Sequence, residues 1–172
     1  MPTPTAPARP GDVTAFVVAG LFWAYYMTPL AVRADRWEFA LIAGVPGLIA
    51  IGALTLRRRR PMLTMSIAAI CLVMSAAAVG AGFVALAHLA HRAERTRSVV
   101  AGALALIGAK AAELVIPRFG STALDGVTSA ITVEVTVLVA GVIIAALAGR
   151  LLRSNDLAEA SRAASAAARA EA

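Results

Sequence analysis

The sequence has 172 residues, of which 60% are hydrophobic and 15% charged, and its formal net charge is +6. Soluble domains are typically about half apolar and about a quarter charged, so this composition favours helices in lipid over a soluble catalytic domain. The basic residues flank apolar blocks and form no aromatic-interleaved face, which argues against nucleic-acid binding. The single cysteine, Cys71, excludes a disulfide framework within the chain.

Apolar blocks dominate the chain after a short N-terminal tail. Residues 1–12 are rich in proline and predict a disordered cytoplasmic tail. Residues 13–149 are predicted to form a transmembrane helical domain, because helices satisfy their own backbone hydrogen bonds in lipid. The predicted fold class is all-α, a polytopic transmembrane helical bundle. Four full spans are expected, over about 13–32, 39–56, 98–116 and 127–148.

The block from Met62 to about Leu89 is too long for one span and too short for two. Basic clusters lie on both sides of it, and a hairpin that enters and leaves by one face would keep both clusters in the cytoplasm. Gly80 and Gly82 offer the flexible backbone that a tip requires. We therefore predict a short or re-entrant helical hairpin here, with one long tilted helix as the alternative.

Arginine placement predicts the topology. The segments that we assign to the cytoplasm contain the topology determinants Arg57, Arg58, Arg59, Arg60, Arg92, Arg95, Arg97, Arg150 and Arg153. Because positive charge is retained on the cytoplasmic side, both termini are predicted to be cytoplasmic. The expected location is the cell membrane, as a multi-pass protein, with the lipid bilayer and its anionic headgroups as partner.

The C-terminal residues 150–172 consist mainly of strong helix formers. They predict a cytoplasmic signalling or linker helix that continues from the last span. Leu157, Ala160, Ala164 and Ala167 recur every three or four residues, as in one seam of a coiled coil. Pairing of two chains as a homodimer and a solitary solvated helix both remain open.

Three ionisable residues lie inside apolar blocks: Lys110, Glu113 and Glu134. Charges in hydrocarbon are costly and are usually paired or functional. Lys110 lies seven residues before Pro117, and Glu134 lies seven residues after Val127. The two residues are therefore at the same depth, and antiparallel helices would place them side by side. We predict a Lys110–Glu134 ion pair, with Glu113 one turn away from Lys110. This candidate intramembrane ion cluster is either a protonation or ligand sensor or a structural pin that sets helix register, or its side chains simply extend to the membrane interface.

No other set of residues points to chemistry. His88 and His91 are three residues apart, but two histidines with no cysteine nearby indicate interfacial solvation rather than a metal site. No catalytic triad or paired-carboxylate motif is present in the sequence. We predict no catalytic, cofactor-binding or metal-binding residues, no cofactor, and no enzymatic activity for this chain.

The order of the segments resembles a known family. Short apolar spans, the junction LTLRRRRPML at 54–63, further short spans and an Arg/Glu/Ala-rich helix from Arg150 follow one another. This layout resembles the N-terminal membrane domain of two-component sensor histidine kinases, of the type common in high-GC Gram-positive bacteria. The resemblance covers nearly the whole chain. It implies a sensory and anchoring module that leads into a phospho-accepting helix and an ATP-binding domain, with a response regulator as partner through that kinase part.

Kinase activity is not expected of these residues themselves, because the sequence to Ala172 contains no histidine box and no nucleotide-binding motif. The expected function is membrane sensing, with the signal passing through the last span into the cytoplasmic helix. Two alternatives remain. One is a small transporter or channel whose path is lined by the ion cluster, and the other is a structural membrane protein with no sensing role.

Overall fold

The computed structural model describes residues 10–32, 37–115 and 127–171. Within these ranges the chain is helical. The helices are α1 (Pro10–Val32), α2 (Trp37–Ala53), α3 (Pro61–Met74), α4 (Val79–Arg92), α5 (Thr96–Val115) and α6 (Val127–Glu171). Residues 1–9, which belong to the predicted tail, and residues 33–36, 116–126 and 172 lie outside the described residues.

The prediction of four full spans is wrong. Across the described ranges, one helix is long and apolar enough to cross a membrane, the stretch Val133–Arg169 of α6. The α2 helix has 17 residues and α3 has 14. At about 1.5 Å per residue they rise about 26 Å and about 21 Å, less than the roughly 30 Å of a hydrocarbon core. The apolar part of α1, Val13–Pro29, is also counted among the shorter helices.

The α5 helix is not a candidate membrane span either, although for a different reason. It has 20 residues, which is long enough, but it contains Arg97, Lys110 and Glu113. Charged side chains are costly in hydrocarbon, and α5 is not among the described helices that could cross a membrane. The predicted polytopic bundle is therefore corrected to a six-helix arrangement in which α6 alone, among the described helices, has the length and composition of a span.

Residues 62–89 lie in two helices, which excludes the alternative of one long helix. The break is at Ser75, whose backbone is extended (φ −160°, ψ 132°). Its hydroxyl oxygen accepts a hydrogen bond from the backbone N–H of Ala77 at 3.2 Å, which is the usual local role of serine at a helix start. A short 3₁₀ turn leads into α4, which packs back along α3.

The predicted tip at Gly80 and Gly82 is wrong, because both glycines lie inside α4 and are buried. A Cβ atom on Gly80 would lie 2.5 Å from Cβ of Phe22, and one on Gly82 would lie 2.7 Å from a methyl carbon of Leu106. The missing side chains therefore let α4 approach α1 and α5 closely. Their role is helix packing, and the turn comes earlier, at residues 75–78.

The α4 helix is the centre of the bundle. Most of its side chains are buried, and its most extensive packing is against α6. Leu86 of α4 is fully buried, as are Leu54, Leu72 and Leu106 of the surrounding segments. This close-packed core, made mainly of alanine and leucine, fixes the helices relative to one another. It thereby positions the charged groups near the start and at the middle of α6.

Candidate functional site

The structure brings together the three charged residues singled out within the apolar blocks. Lys110 and Glu113 lie one turn apart on α5, and they are only 2% and 5% exposed. The Lys110 ammonium donates a hydrogen bond to Glu113 Oε2 at 2.6 Å. This spacing of three residues places both side chains on the same face of the helix.

Glu134 reaches the same ammonium from α6. Its Oε2 lies 2.6 Å from Lys110 Nζ, and its side chain is 31% exposed. By its distance the contact is an ion pair. The two helices are antiparallel, since Lys110 meets Glu134 at one end and Thr96 meets Arg150 at the other. We call Lys110, Glu113 and Glu134 the ion cluster.

One ammonium therefore serves two carboxylates in a site that is largely withdrawn from solvent. Removing charges from water costs several kcal/mol per ion, and close opposite charges offset that cost. Tyr26 of α1 lies within electrostatic range of all three groups. In the described part of the chain, no group of three or more His, Cys, Asp or Glu residues could hold a metal ion. The cluster is suited to holding a proton or an organic cation, or to fixing helix register.

A groove runs between α1 and α6 beside the ion cluster. Its volume is about 430 Å³. The residues that line it, here called the aromatic groove, are Leu21, Phe22, Tyr25, Tyr26, Val133, Glu134 and Val137. Glu134 is the only charged residue in this lining, so the groove is an apolar surface with one acidic position. Sequence analysis did not identify the groove, because it depends on contacts between distant helices.

Arginines gather at the other end of the bundle. Arg57 is buried, and its guanidinium lies 6.0 Å from the ring centroid of Phe16 near the start of α1. Arg92 Nη1 donates to the backbone carbonyl of Arg58 at 3.4 Å. The two basic clusters on either side of residues 62–89 thus meet at one end of the bundle.

The same end holds the basic residues of α6. Arg150 Nη2 donates to Thr96 Oγ1 at 3.0 Å, and Arg153 donates to the backbone carbonyl of Ala93. We call Arg57, Arg58, Arg92, Arg150 and Arg153 the basic end. The other topology determinants, Arg59, Arg60, Arg95 and Arg97, are exposed beside it.

The two histidines lie at the basic end and differ in their surroundings. His91 Nε2 lies 3.3 Å from Asp156 Oδ2, a partner on α6 that sequence analysis missed. No sequence signal could have found it, since 65 positions separate the two residues. Burial, and then the positive charge of Arg57 and Arg92, lowers the pKa of His88 from 6.5 to about 4.

Beyond this end, α6 continues without contacts that bury it. Residues 154–169 are all exposed, and they include Leu157, Ala160, Ala164 and Ala167 of the predicted seam. An exposed, alanine-rich helix of this kind buries too little apolar surface to be held by packing within one chain. Its stability must come from continuity with the packed part of α6 or from another helix.

Residues 13–149 match the family described as "Domain of unknown function (DUF8318)". Because the match covers more than half of the chain, this chain belongs to that family. The matched range contains the ion cluster and all the residues that line the aromatic groove, and it ends just before Arg150. No curated protein and no solved structure matches the chain.

Proposed function

We propose that this family member is the membrane-embedded sensory and anchoring module of a two-component sensor histidine kinase, whose last helix carries a signal into the cytoplasm. The observation that supports this most is the continuity of α6, which runs unbroken from Val127 to Glu171. Glu134 near its start belongs to the ion cluster, and residues 154–169 near its end are exposed. A displacement of α6 at the cluster would therefore reach the exposed segment through one helix.

Exposed apolar side chains support a membrane environment for the helices around α6. Large hydrophobic side chains that are more than half exposed occur on five of the six helices. Examples are Leu21, Leu48, Ile70, Leu104 and Ile144. In water, apolar surface costs about 25 cal/mol per Å², and soluble monomers rarely expose so much of it together. In lipid the same side chains are in their preferred solvent.

The basic end supports the orientation. We propose that this end faces the cytoplasm of the cell membrane, because arginine is retained on that side and binds anionic headgroups. The Arg57–Phe16 contact lies near the start of α1, and Arg150 and Arg153 lie where the exposed part of α6 begins. Both termini would then be cytoplasmic.

The contacts at the basic end form a joint through which α6 leaves the bundle. Arg153 is bound to the Ala93 carbonyl and Asp156 to His91, both at the end of α4. Gly149 lies so close to α4 that a Cβ atom would overlap with the carbonyl oxygen of Ala87. Sliding or rotation of α6 would have to break or exchange these contacts, so they give the helix a limited set of positions.

A signalling helix of a sensor kinase requires a partner helix, and we propose that residues 150–172 pair in a homodimer. The chain has a single cysteine, Cys71, so cross-linking can be directed to one position. In a Cys71→Ala background, Ala164→Cys on the seam should form a disulfide-linked dimer in membranes. Ala166→Cys, about 160° away around the helix, should form little. Equal cross-linking at both positions would contradict the seam.

The signalling proposal is tested by joining the full chain to the kinase core of a characterised sensor kinase. One to seven alanines are inserted after Arg169, and autophosphorylation is measured in membranes. If α6 transmits a helical motion, kinase output should rise and fall with a period of about 3.6 residues, because each insertion rotates the core by about 100°. Output that does not depend on insertion length would contradict transmission through α6.

A matched pair of variants tests the role of the ion cluster in the same fusion. Glu134→Gln changes the cluster at the start of α6, whereas Glu159→Gln changes an exposed carboxylate on the same helix. The first should change kinase output by about tenfold, and the second should leave it within about twofold. If both variants leave the output unchanged, the cluster has a structural role only.

A further inference from the structure

The aromatic groove has a composition that suits one class of ligand. Aromatic rings from Phe22, Tyr25 and Tyr26 line its α1 side, and apolar residues of α6 line the other. Tyr25 is 73% exposed, and its ring packs against that of Tyr26 edge to face, with centroids 5.4 Å apart. The faces of tyrosine rings carry partial negative charge and attract cations within about 6 Å.

Glu134 adds a full negative charge to the same lining. It shares the Lys110 ammonium with Glu113, which holds that ammonium by a hydrogen bond at 2.6 Å. An ionised carboxylate offers about four acceptor positions, and the Glu134 side chain, which lines the groove, is 31% exposed. The exposed part of Glu134 can therefore accept a second cation from the groove side without releasing Lys110.

From these observations we infer that the aromatic groove binds a lipophilic organic cation, such as an ammonium or phosphonium ion with apolar substituents. The apolar walls favour hydrocarbon substituents, and the tyrosine rings and Glu134 favour positive charge. A strongly hydrated metal ion would lose its water in such a groove without enough oxygen ligands to replace it. An organic anion of the same shape would meet the Glu134 carboxylate and be repelled.

A lipophilic cation is the class of ligand that the proposed sensor would detect. Only the signalling of binding rests on the proposed function. Binding itself is a property of the groove. A cation between α1 and α6 would contact Glu134 at the start of the long helix, so it would act on the same element that leads out through the basic end.

The test uses the purified full chain in a non-ionic detergent with labelled tetraphenylphosphonium in equilibrium dialysis, blank micelles being subtracted. Tetraphenylborate, which has the same shape and the opposite charge, is the control ligand. Saturable binding of about one tetraphenylphosphonium per chain is expected, together with at least tenfold weaker binding of tetraphenylborate. Equal binding of the two ions would overturn the inference, because it would show partitioning by apolar surface alone.

Variants locate the site. Glu134→Gln should weaken tetraphenylphosphonium binding about tenfold, which corresponds to about 1.4 kcal/mol. Tyr25→Leu, on an exposed residue outside the ion cluster, should weaken it about threefold. Glu159→Gln on the exposed part of α6 should leave it unchanged. Circular dichroism checks folding, and Tyr25→Leu keeps the test decisive if Glu134→Gln does not fold.

The outcomes separate this inference from the signalling proposal. Absence of saturable binding, or full binding by both Glu134→Gln and Tyr25→Leu, would overturn the ligand site and leave transmission through α6 to its own test. Saturable binding that does not change the kinase output of the fusion would support the site and contradict its role as a sensory input.

Discussion

The two charged regions along α6 are built in opposite ways. At the ion cluster, Lys110 and Glu113 are almost completely buried, and ammonium and carboxylates meet directly at 2.6 Å. At the basic end, Arg150 and Arg153 bind a hydroxyl and a backbone carbonyl, and Asp156 is 66% exposed. One region pairs its charges with one another, whereas the other leaves a surplus of positive charge at the surface.

This difference follows from the solvent around each region. The effective dielectric constant is low around buried charges, so both attraction and desolvation are large there. Near water or headgroups, charges are screened, and ion pairs contribute about 0–1 kcal/mol. An ion pair should therefore contribute strongly to the free energy of unfolding at the ion cluster and weakly at the basic end. Variants at the two regions test this difference in stability.

The largest effect is expected from Lys110→Met. The change removes the ammonium and leaves two carboxylates close together in a buried site, which should lower the free energy of unfolding by about 3–5 kcal/mol. Unfolding in mild detergent, followed by circular dichroism, measures the loss. Arg97→Met, on an exposed residue of the same helix, is the control and should have little effect.

A rescue variant makes this prediction specific. Adding Glu113→Gln and Glu134→Gln to Lys110→Met removes the two stranded charges and should restore most of the lost stability. Equal losses for Lys110→Met and Arg97→Met would show that burial does not distinguish the two regions. A triple variant as unstable as Lys110→Met would show that packing of the lysine stem, and not its charge, is what the site needs.

The contact between Lys110 and Glu134 could be predicted from the sequence because it depends on regular geometry. Two antiparallel helices rise equally per residue, so charges at equal depth from a common turn become neighbours. The charges themselves are conspicuous, since an ionisable side chain in an apolar block must find a partner. Sequence position and side-chain chemistry were therefore sufficient to predict this contact.

The number of spans could not be predicted in this way. Hydropathy counts apolar residues, but it does not show where a helix ends, and Ser75 ends α3 within a continuous apolar stretch. The glycines 80 and 82 were misassigned because glycine serves both turns and close helix packing. The contacts of His91 with Asp156 and of Arg153 with Ala93 depend on the packed arrangement of α4 and α6, which no local pattern encodes.

The next largest effect is expected at Gly149, where α6 passes close to the backbone of α4. A Cβ atom there would overlap with the backbone carbonyl oxygen of Ala87, which cannot move aside as a flexible side chain can. Gly149→Ala should therefore cost about 1–3 kcal/mol by overpacking. Gly108→Ala on α5 is the matched control, because no atom lies within 4 Å of its added Cβ. It should stabilise its helix by about 0.5–1 kcal/mol.

The Gly149 comparison also tests the joint at the basic end. If the two helices can separate slightly, Gly149→Ala will be tolerated and will resemble Gly108→Ala in thermal unfolding. That result would mean that the basic end is held by its side-chain contacts and not by close backbone packing. A loss confined to Gly149→Ala would support a joint with little freedom.

A smaller effect is expected from the titration of His88. Its pKa is lowered to about 4, first by burial and then by Arg57 and Arg92. Between pH about 6.5 and about 4 the unfolded chain binds this proton more readily than the folded chain, so stability falls as the pH falls through this range. Allowing for partial solvent screening, we expect a loss of about 1–2 kcal/mol.

The variant His88→Gln isolates this contribution. Other groups also titrate in this range, so the measurement is the difference between the original chain and His88→Gln in unfolding free energy at pH 7 and pH 4.5. The original chain should lose more stability than the variant. A parallel pH dependence for both proteins would mean that His88 is solvated at the basic end in the same way as the exposed arginines.

The smallest effect is expected from Asp156→Asn. The Asp156 carboxylate lies 3.3 Å from His91 Nε2 and is 66% exposed, so water and salt compete for it. Removing the charge should change the free energy of unfolding by about 0–0.5 kcal/mol, and the difference should vanish in about 1 M salt. Lys110→Met measured under the same conditions should keep most of its effect, because buried charges are screened far less. A loss of several kcal/mol for Asp156→Asn that persists in salt would mean that the His91–Asp156 contact is desolvated like the ion cluster, and the contrast between the two regions of α6 would no longer hold.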